Sequence, residues 1–222
     1  MPLFKKPACA IRRSEVGCSM CSIRGIVEGT HVRVESGWQP VDTLGLLDRW
    51  AVLSGGFIPA TRLSVHEVWQ DTRDCPSVAR PLIVPQGALG NDEHLWMQQD
   101  TRVILQSAPF TDLVGTSHVS LRAGDLIGER GIELSDTPPT CSMIYRVFFD
   151  EIDAVQIAGG LWQMCSPTCN NMNLFTMGDY DQCRIGGHVV QHLTRDEALM
   201  FLLAQDAAVT HDRKRRNRHS VV

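Results

Sequence analysis

The sequence predicts an all-β domain, 222 residues long and closed by one short C-terminal helix. Three observations carry this expectation. Apolar residues fall in short alternating or continuous runs of strand length, not at the roughly 3.6-residue spacing of a helix. Glycine pairs, Ser-Gly steps and an Asn-Asp pair interrupt those runs where turns need them. Helix start signals come together in one place only.

In chain order, residues 1–24 show no period and two early prolines, Pro2 and Pro7, and read as an N-terminal leader or loosely docked arm. Strands begin after Gly25. Residues 31–35 alternate, Ser36-Gly37 is a turn signal, and residues 38–41 return. Residues 49–53 form another short strand, and Ser54-Gly55-Gly56 supplies the positive-φ positions of a tight hairpin. A long extended stretch is expected over 57–70, with Pro59 marking an edge or bend. Residues 81–84 are a further apolar strand and 86–92 a glycine-containing loop. Residues 102–105 and 119–121 are strand candidates. Residues 142–149 are strongly strand-like, and 154–158 are expected to pair with them across 150–153. In Thr194-Arg195-Asp196-Glu197, Thr194 caps a helix and Glu197 reaches back to the free amide. Good helix formers follow, so the closing helix is expected over 195–208. The β domain then spans 25–208, and 209–222 is expected to be a basic disordered tail.

Hydrophobic residues make up 43% and charged residues 21%, the balance of a globular domain, which excludes a wholly disordered, collagen-like or coiled-coil chain. No apolar run approaches the ~20 residues of a membrane span. The N-terminus lacks the apolar core of about 7–15 residues that a secretory signal carries. A cytoplasmic protein is therefore expected, with its eight cysteines as reduced thiols rather than a disulfide framework. Of 21 basic and 25 acidic residues, five basic and one acidic lie in 212–222, which leaves an acidic body. A nucleic-acid partner needs a basic footprint on the fold itself, so none is expected. The expected partner is a protein of unspecified identity.

No glycine-rich phosphate loop, Gly-x-Ser-x-Gly elbow or His-Glu-x-x-His is present, which removes support for a nucleotide enzyme or a conventional hydrolase. Cys18 and Cys21 form a Cys-x-x-Cys, readable as incidental thiols, a redox pair or half of a metal site. Cys165, Cys169, His188 and His192 offer two sulfurs and two imidazoles to a zinc ion, with Cys183 as a further candidate. That geometry needs a helix across His188 and His192, whereas Gly186-Gly187 and Val189-Val190 argue for strand or loop. The plainer reading is core cysteines with surface histidines and no cofactor. His66 reads as an ordinary strand residue. Trp38, Trp50, Trp69, Trp96 and Trp162 have no stacking period and read as packing residues.

Four blocks, spanning about 25–203, resemble the bacterial Hint domain, the autoprocessing fold of Hedgehog proteins and inteins. Gly25-Ile26-Val27-Glu28-Gly29-Thr30, followed by Gly37-Trp38-Gln39-Pro40-Val41, is similar to that family's opening Cys-Phe-x-x-Gly-Thr strand and turn. Gly87-Ala88-Leu89-Gly90 with residues 93–105 is similar to its Gly-Ala-Leu-Gly loop and Ser-Pro-Gln-His-Arg-Val-Leu-Leu strand. Residues 145–162 resemble its Tyr-x-His-Leu-x-Phe-Asp-x-His-Glu-Val segment. Leu193-Thr194-Arg195-Asp196-Glu197-Ala198 resembles its closing helix. The resemblance implies a pseudo-symmetric horseshoe of two intertwined halves. It also implies an acyl shift, in which a side-chain nucleophile attacks the preceding carbonyl while histidines assist the departing nitrogen.

The substitutions fall on the reactive positions. Gly25 stands where the nucleophilic cysteine is expected. Gln98 and Thr101 stand in the Ser-x-x-His positions, and Arg146 and Ile152 in the two later histidine positions. Framework positions such as Gly29, Thr30, Arg102, Asp150 and Trp162 are kept. The sequence thus points to a Hint fold without self-cleavage, acting as a binding or scaffold module. One alternative is live autoprocessing, with Cys21 (or Cys18) removing a short leader and His94 or His118 donating the proton. A zinc-stabilised structural module is the other.

Overall fold

The computed structural model describes residues 24–68, 80–106, 111, 115–135, 143–167 and 182–219. The opening segment contains β1 (Ile26–Val27), β2 (His31–Val34) and β3 (Gly37–Pro40). Val32 and Val34 are buried while His31 and Arg33 are half-buried, the alternation expected of a strand with one covered face. The β2–β3 hairpin turns at Gly37, whose φ of 124° is open to a residue without Cβ. β4 (Arg49–Ala51) and β5 (Phe57–Pro59) form the second hairpin, with Gly55 and Gly56 at positive φ as expected. Trp50 on β4 is fully buried.

The long extended stretch breaks after Pro59. β6 (Arg62–Glu67) is a separate strand, and the amide and hydroxyl of Thr61 both donate to the Phe148 carbonyl at the break. Then come β7 (Leu82–Val84), β8 (Leu95–Met97), β9 (Arg102–Gln106), β10 (His118–Arg122) and β11 (Glu133–Leu134). β12 (Met143–Phe149), β13 (Asp153–Ile157), β14 (Leu161–Pro167), β15 (Gln182–Ile185) and β16 (His188–His192) complete the strands.

The main sheet follows the path β15-β16-β10-β9-β14-β13-β2-β4-β5, with β1, β3, β6 and β12 attached off it, and β11-β7-β8 form a small second sheet. Between them lies one large core that includes Trp50, Leu82, Leu95, Leu121, Leu126 and Phe149. Burial of such side chains stabilises by roughly 1.5–3 kcal/mol each before entropy is counted.

The expected pairing of 154–158 with 142–149 is not formed. β12 pairs instead with β6, from Met143↔Glu67 to Phe148↔Arg62, and β13 pairs with β14. The buried Asp153 carboxylate favours this placement of β13. It accepts from the Ser54 amide (3.2 Å), the Ser54 hydroxyl (2.5 Å) and the Ala154 amide (2.7 Å), which ties the start of β13 to the tip of the β4–β5 hairpin. The Leu53 amide donates to the Ala154 carbonyl in the same join. Residues 150–152 also lack a glycine or asparagine to close a tight hairpin.

The closing helix α1 (Arg195–His219) starts where expected. The Glu197 carboxylate accepts from the Thr194 amide at 2.8 Å, and the Glu197 amide donates back to the Thr194 hydroxyl. Ala198, Phe201 and Leu202 are buried against the core. Arg130 fastens this turn, donating to the Ala88 and Leu202 carbonyls and to Asp206. The helix runs past 208 to His219, longer than expected. Its last turns hold Arg213, Lys214, Arg215, Arg216 and Arg218, good helix formers whose charge suits the negative end of a helix dipole. Among the described residues no helix is long and apolar enough to cross a membrane.

Asp153→Ala leaves three donors without their acceptor, so urea denaturation should show a loss of about 2–3 kcal/mol. A loss under about 0.5 kcal/mol would mean that the carboxylate does not set the β13 pairing.

Candidate functional site

β1 lies antiparallel to β12, with Ile26 opposite Tyr145 and Val27 opposite Ile144. Gly25, just before it, touches β12 so closely that a Cβ there would sit 2.4 Å from Ile144 Cγ2 and 2.7 Å from the Tyr145 carbonyl oxygen. Gln163, buried on β14, donates its side-chain amide to the Gly25 carbonyl at 2.8 Å. Beside this junction is a cavity of about 30 Å³, walled by Gly25, Thr101, Arg102, Arg146, Gln163 and Cys165. Its volume suits one small polar group.

Thr101 reaches the cavity because a tight turn precedes β9: its amide donates to the Gln98 carbonyl, and its own carbonyl accepts from Ala123. It is 2% exposed, and its hydroxyl has no hydrogen-bond partner among the described residues. Arg102 follows it onto β9. Burial, then the charge of Arg24, lowers the Arg102 pKa; burial, then Arg62 and Arg24, lowers that of Arg146. The Arg146 guanidinium lies 4.8 Å from the Phe148 ring centroid, and that of Arg62 lies 3.9 Å from it. Asp100 also borders the cavity, but its Oδ1 already accepts from Arg122 Nε and Nη2 at 2.9 and 2.6 Å. Cys165 brings a sulfur to the wall. Burial, its largest influence, pushes the thiol pKa up to about 12. The thiol therefore stays protonated at neutral pH, and this sulfur is a poor nucleophile.

The structure brings Gly25, Thr101 and Arg146 to one cavity, although they come from three distant parts of the chain. Gln98 is buried in the turn leading to Thr101. Ile152 is elsewhere, packed against the smaller core of Leu53, Ile104, Ala154, Ile185 and Val190. Cys18, Cys21 and Trp69 lie outside the described residues. His94 packs edge-on against Trp96, and His118 lies 4.6 Å from the His188 ring; neither borders the cavity. His66 is an ordinary β6 residue, 3.2 Å from the Ser64 hydroxyl.

Among the described residues the zinc constellation is not assembled. His188 and His192 are on strand β16, not a helix, and β10 and β9 separate it from Cys165 on β14. Three strand spacings amount to roughly 14 Å. Cys169 lies outside the described residues, and among those described no three His, Cys, Asp or Glu side chains gather into a metal site. Cys183 is half-buried, its thiol pKa raised by burial. Gln163 and Cys165 are site residues that sequence reasoning missed. They share one face of β14 by strand alternation, but nothing local to them indicates that this face looks at Gly25.

With this geometry in view, the Hint domain family pattern matches residues 25–163, and the chain belongs to that family. A solved structure of a splice-inactive variant of the AceL NrdHF class 3 split intein is 10% identical, covering 66% of this chain and all of its own, with a TM-score of 0.37. No curated protein matches the chain.

Gly25→Ala and Gly25→Cys should each lower stability by about 2–3 kcal/mol in urea denaturation, because β12 must move to admit any Cβ. Unchanged midpoints would show that the contact yields freely. A second expectation concerns His192, where burial, then the charge of Arg102, lowers the pKa to about 4. Between about pH 4 and the ordinary value of about 6.5 the unfolded chain binds more protons than the native one, so stability rises with pH across that window. The span is on the order of 3 kcal/mol. His192→Gln should flatten the rise in a pH series of melting curves; an unaltered slope would place the titration elsewhere.

Proposed function

We propose that this Hint domain has lost self-cleavage and works as a binding module. An acyl shift forms a bond from a side-chain sulfur or oxygen to the carbonyl carbon of residue 24. It breaks the amide bond between 24 and 25, and a proton goes to the departing nitrogen. Position 25 supplies neither sulfur nor oxygen. The observation that carries the reading is the space itself: the volume that a side chain at Gly25 would fill is taken by Ile144 Cγ2 and the Tyr145 carbonyl.

The proton donors are replaced as well. Thr101 does not titrate near neutral pH, Arg146 stays protonated, and Ile152 carries no proton to give. Acid–base assistance alone contributes about 10²–10⁴-fold, and losing the nucleophile closes the route altogether. The Cys165 thiol does not substitute, since burial holds it protonated. What the junction keeps is a small, largely apolar cavity bordered by three arginines, which fits recognition better than bond cleavage.

The test is the intact mass of the full chain after a day at neutral pH, with and without dithiothreitol. An unchanged 24.7 kDa species is expected. Loss of about twenty N-terminal residues that Cys21→Ala prevents would establish live autoprocessing and overturn the reading.

A further inference from the structure

We propose that the cavity beside Gly25 binds a carboxylate presented by an acidic peptide segment of a partner protein. The proposal rests on the non-catalytic reading of the same site and adds the chemistry of what is bound.

Charge is the first support. Arg24, Arg102 and Arg146 all border the cavity, and among the described residues no carboxylate pairs with any of them. Three other described arginines are paired, Arg49 with Glu35, Arg122 with Asp100 and Arg130 with Asp206, while Arg33 and Arg62 lie over the Trp38 and Phe148 rings. The one carboxylate bordering the cavity, Asp100, is engaged by Arg122. Burial, then the charge of Arg24, lowers the pKa of Arg102, with Asp125 acting in the opposite direction, and burial, then Arg62 and Arg24, lowers that of Arg146. A bound anion offsets the unfavourable charge that Arg24 places on both and gives the half-buried guanidinium groups a carboxylate partner.

Neutral donors are the second support. Thr101 borders the cavity, and its buried hydroxyl has no hydrogen-bond partner among the described residues. The Gln163 amide nitrogen uses one hydrogen on the Gly25 carbonyl at 2.8 Å and retains a second. A carboxylate is acceptor-only and planar, so it matches both a hydroxyl donor and a guanidinium fork.

Size selects the carrier. A site that encloses a small molecule usually measures about 300–1,000 Å³. This cavity, about 30 Å³, admits the anionic group and leaves the rest of the ligand outside. Arg24 is exposed at the border, where neighbouring acidic residues of a peptide would lie. A carboxylate at the end of a chain fits this arrangement better than an enclosed metabolite.

The test uses the full chain with a fluorescent octapeptide ending in Glu-Glu and a free C-terminus, and its C-terminally amidated Gln-Gln counterpart. Anisotropy is followed at fixed ionic strength, with sodium acetate as competitor against sodium chloride. The acidic peptide should bind saturably and at least about tenfold more tightly than the neutral one, and acetate should displace it better than chloride. Arg102→Gln and Arg146→Gln should each weaken it about tenfold, and Thr101→Val, which leaves the charge unchanged, several-fold. Arg49→Gln should change nothing. Equal binding of the two peptides overturns the proposal, as do unaltered affinities in all three cavity variants. Saturable acetate binding without peptide binding overturns the peptide carrier. The mass of each titrated sample separates the two claims: an intact chain that fails to discriminate sinks the carboxylate site alone, whereas a shortened chain sinks the non-catalytic reading.

Discussion

The packing of a bare backbone against β12 is the constraint on which the rest of this site depends. β1 is only two residues long and pairs with β12 through Ile26 and Val27. Such a short strand contributes little by itself, and it is held because Gly25 lets the chain come within contact of Ile144 and Tyr145. The same approach puts the Gly25 carbonyl within reach of Gln163 on β14. β12 also meets the far end of β14 in parallel, Phe148 opposite Ser166. Three segments from opposite ends of the chain thus converge on a residue with no side chain. The junction is stabilised by backbone proximity, where the resemblance to self-cleaving relatives implies a reactive group.

That convergence also explains why so much positive charge is tolerated here. Burying a guanidinium without a counter-charge is costly. Arg102 and Arg146 are only half-buried, and Arg146 shares the Phe148 ring with Arg62. An aromatic face offsets part of the lost hydration, and the planar, weakly hydrated guanidinium is the cation best suited to it. Arg102 has in addition a long contact with the Ser120 hydroxyl, at 3.4 Å. Neither device neutralises the charge. Asp125 offsets part of the charge at Arg102, and what remains favours an anionic ligand.

Much of the fold was legible in the sequence because its signals are local. The Gly55-Gly56 hairpin, the β2–β3 turn and the Thr194–Glu197 cap each depend on a few adjacent residues whose conformational needs are specific. What was not legible depends on distant partners. Strand 142–149 was visible as a strand, yet its pairing with β6 and the tie of Asp153 to Ser54 are long-range contacts that no nearby pattern encodes. The site divides in the same way. Gly25, Thr101 and Arg146 were found because the family resemblance names their positions, whereas Ile152, named on the same basis, sits in another core. Gln163 and Cys165 escaped notice because only the folded sheet turns that face of β14 toward residue 25.

The charge of the cavity bears on whether the substitutions could be undone singly. A histidine placed at position 101 would border the same cavity as Arg102 and Arg146. Two nearby cations and burial both disfavour the imidazolium, so its pKa would fall below the ordinary value and little of it would be protonated near neutral pH. It would therefore be a weak proton donor to a departing amide. A cysteine at position 25 would in turn press on Ile144 and Tyr145 before it reached any carbonyl. Each replacement at the junction thus makes its neighbour's original residue less useful. In the reading proposed above, the bare backbone at Gly25 and the guanidinium at Arg146 act in the same direction, since neither position offers the group that cleavage needs.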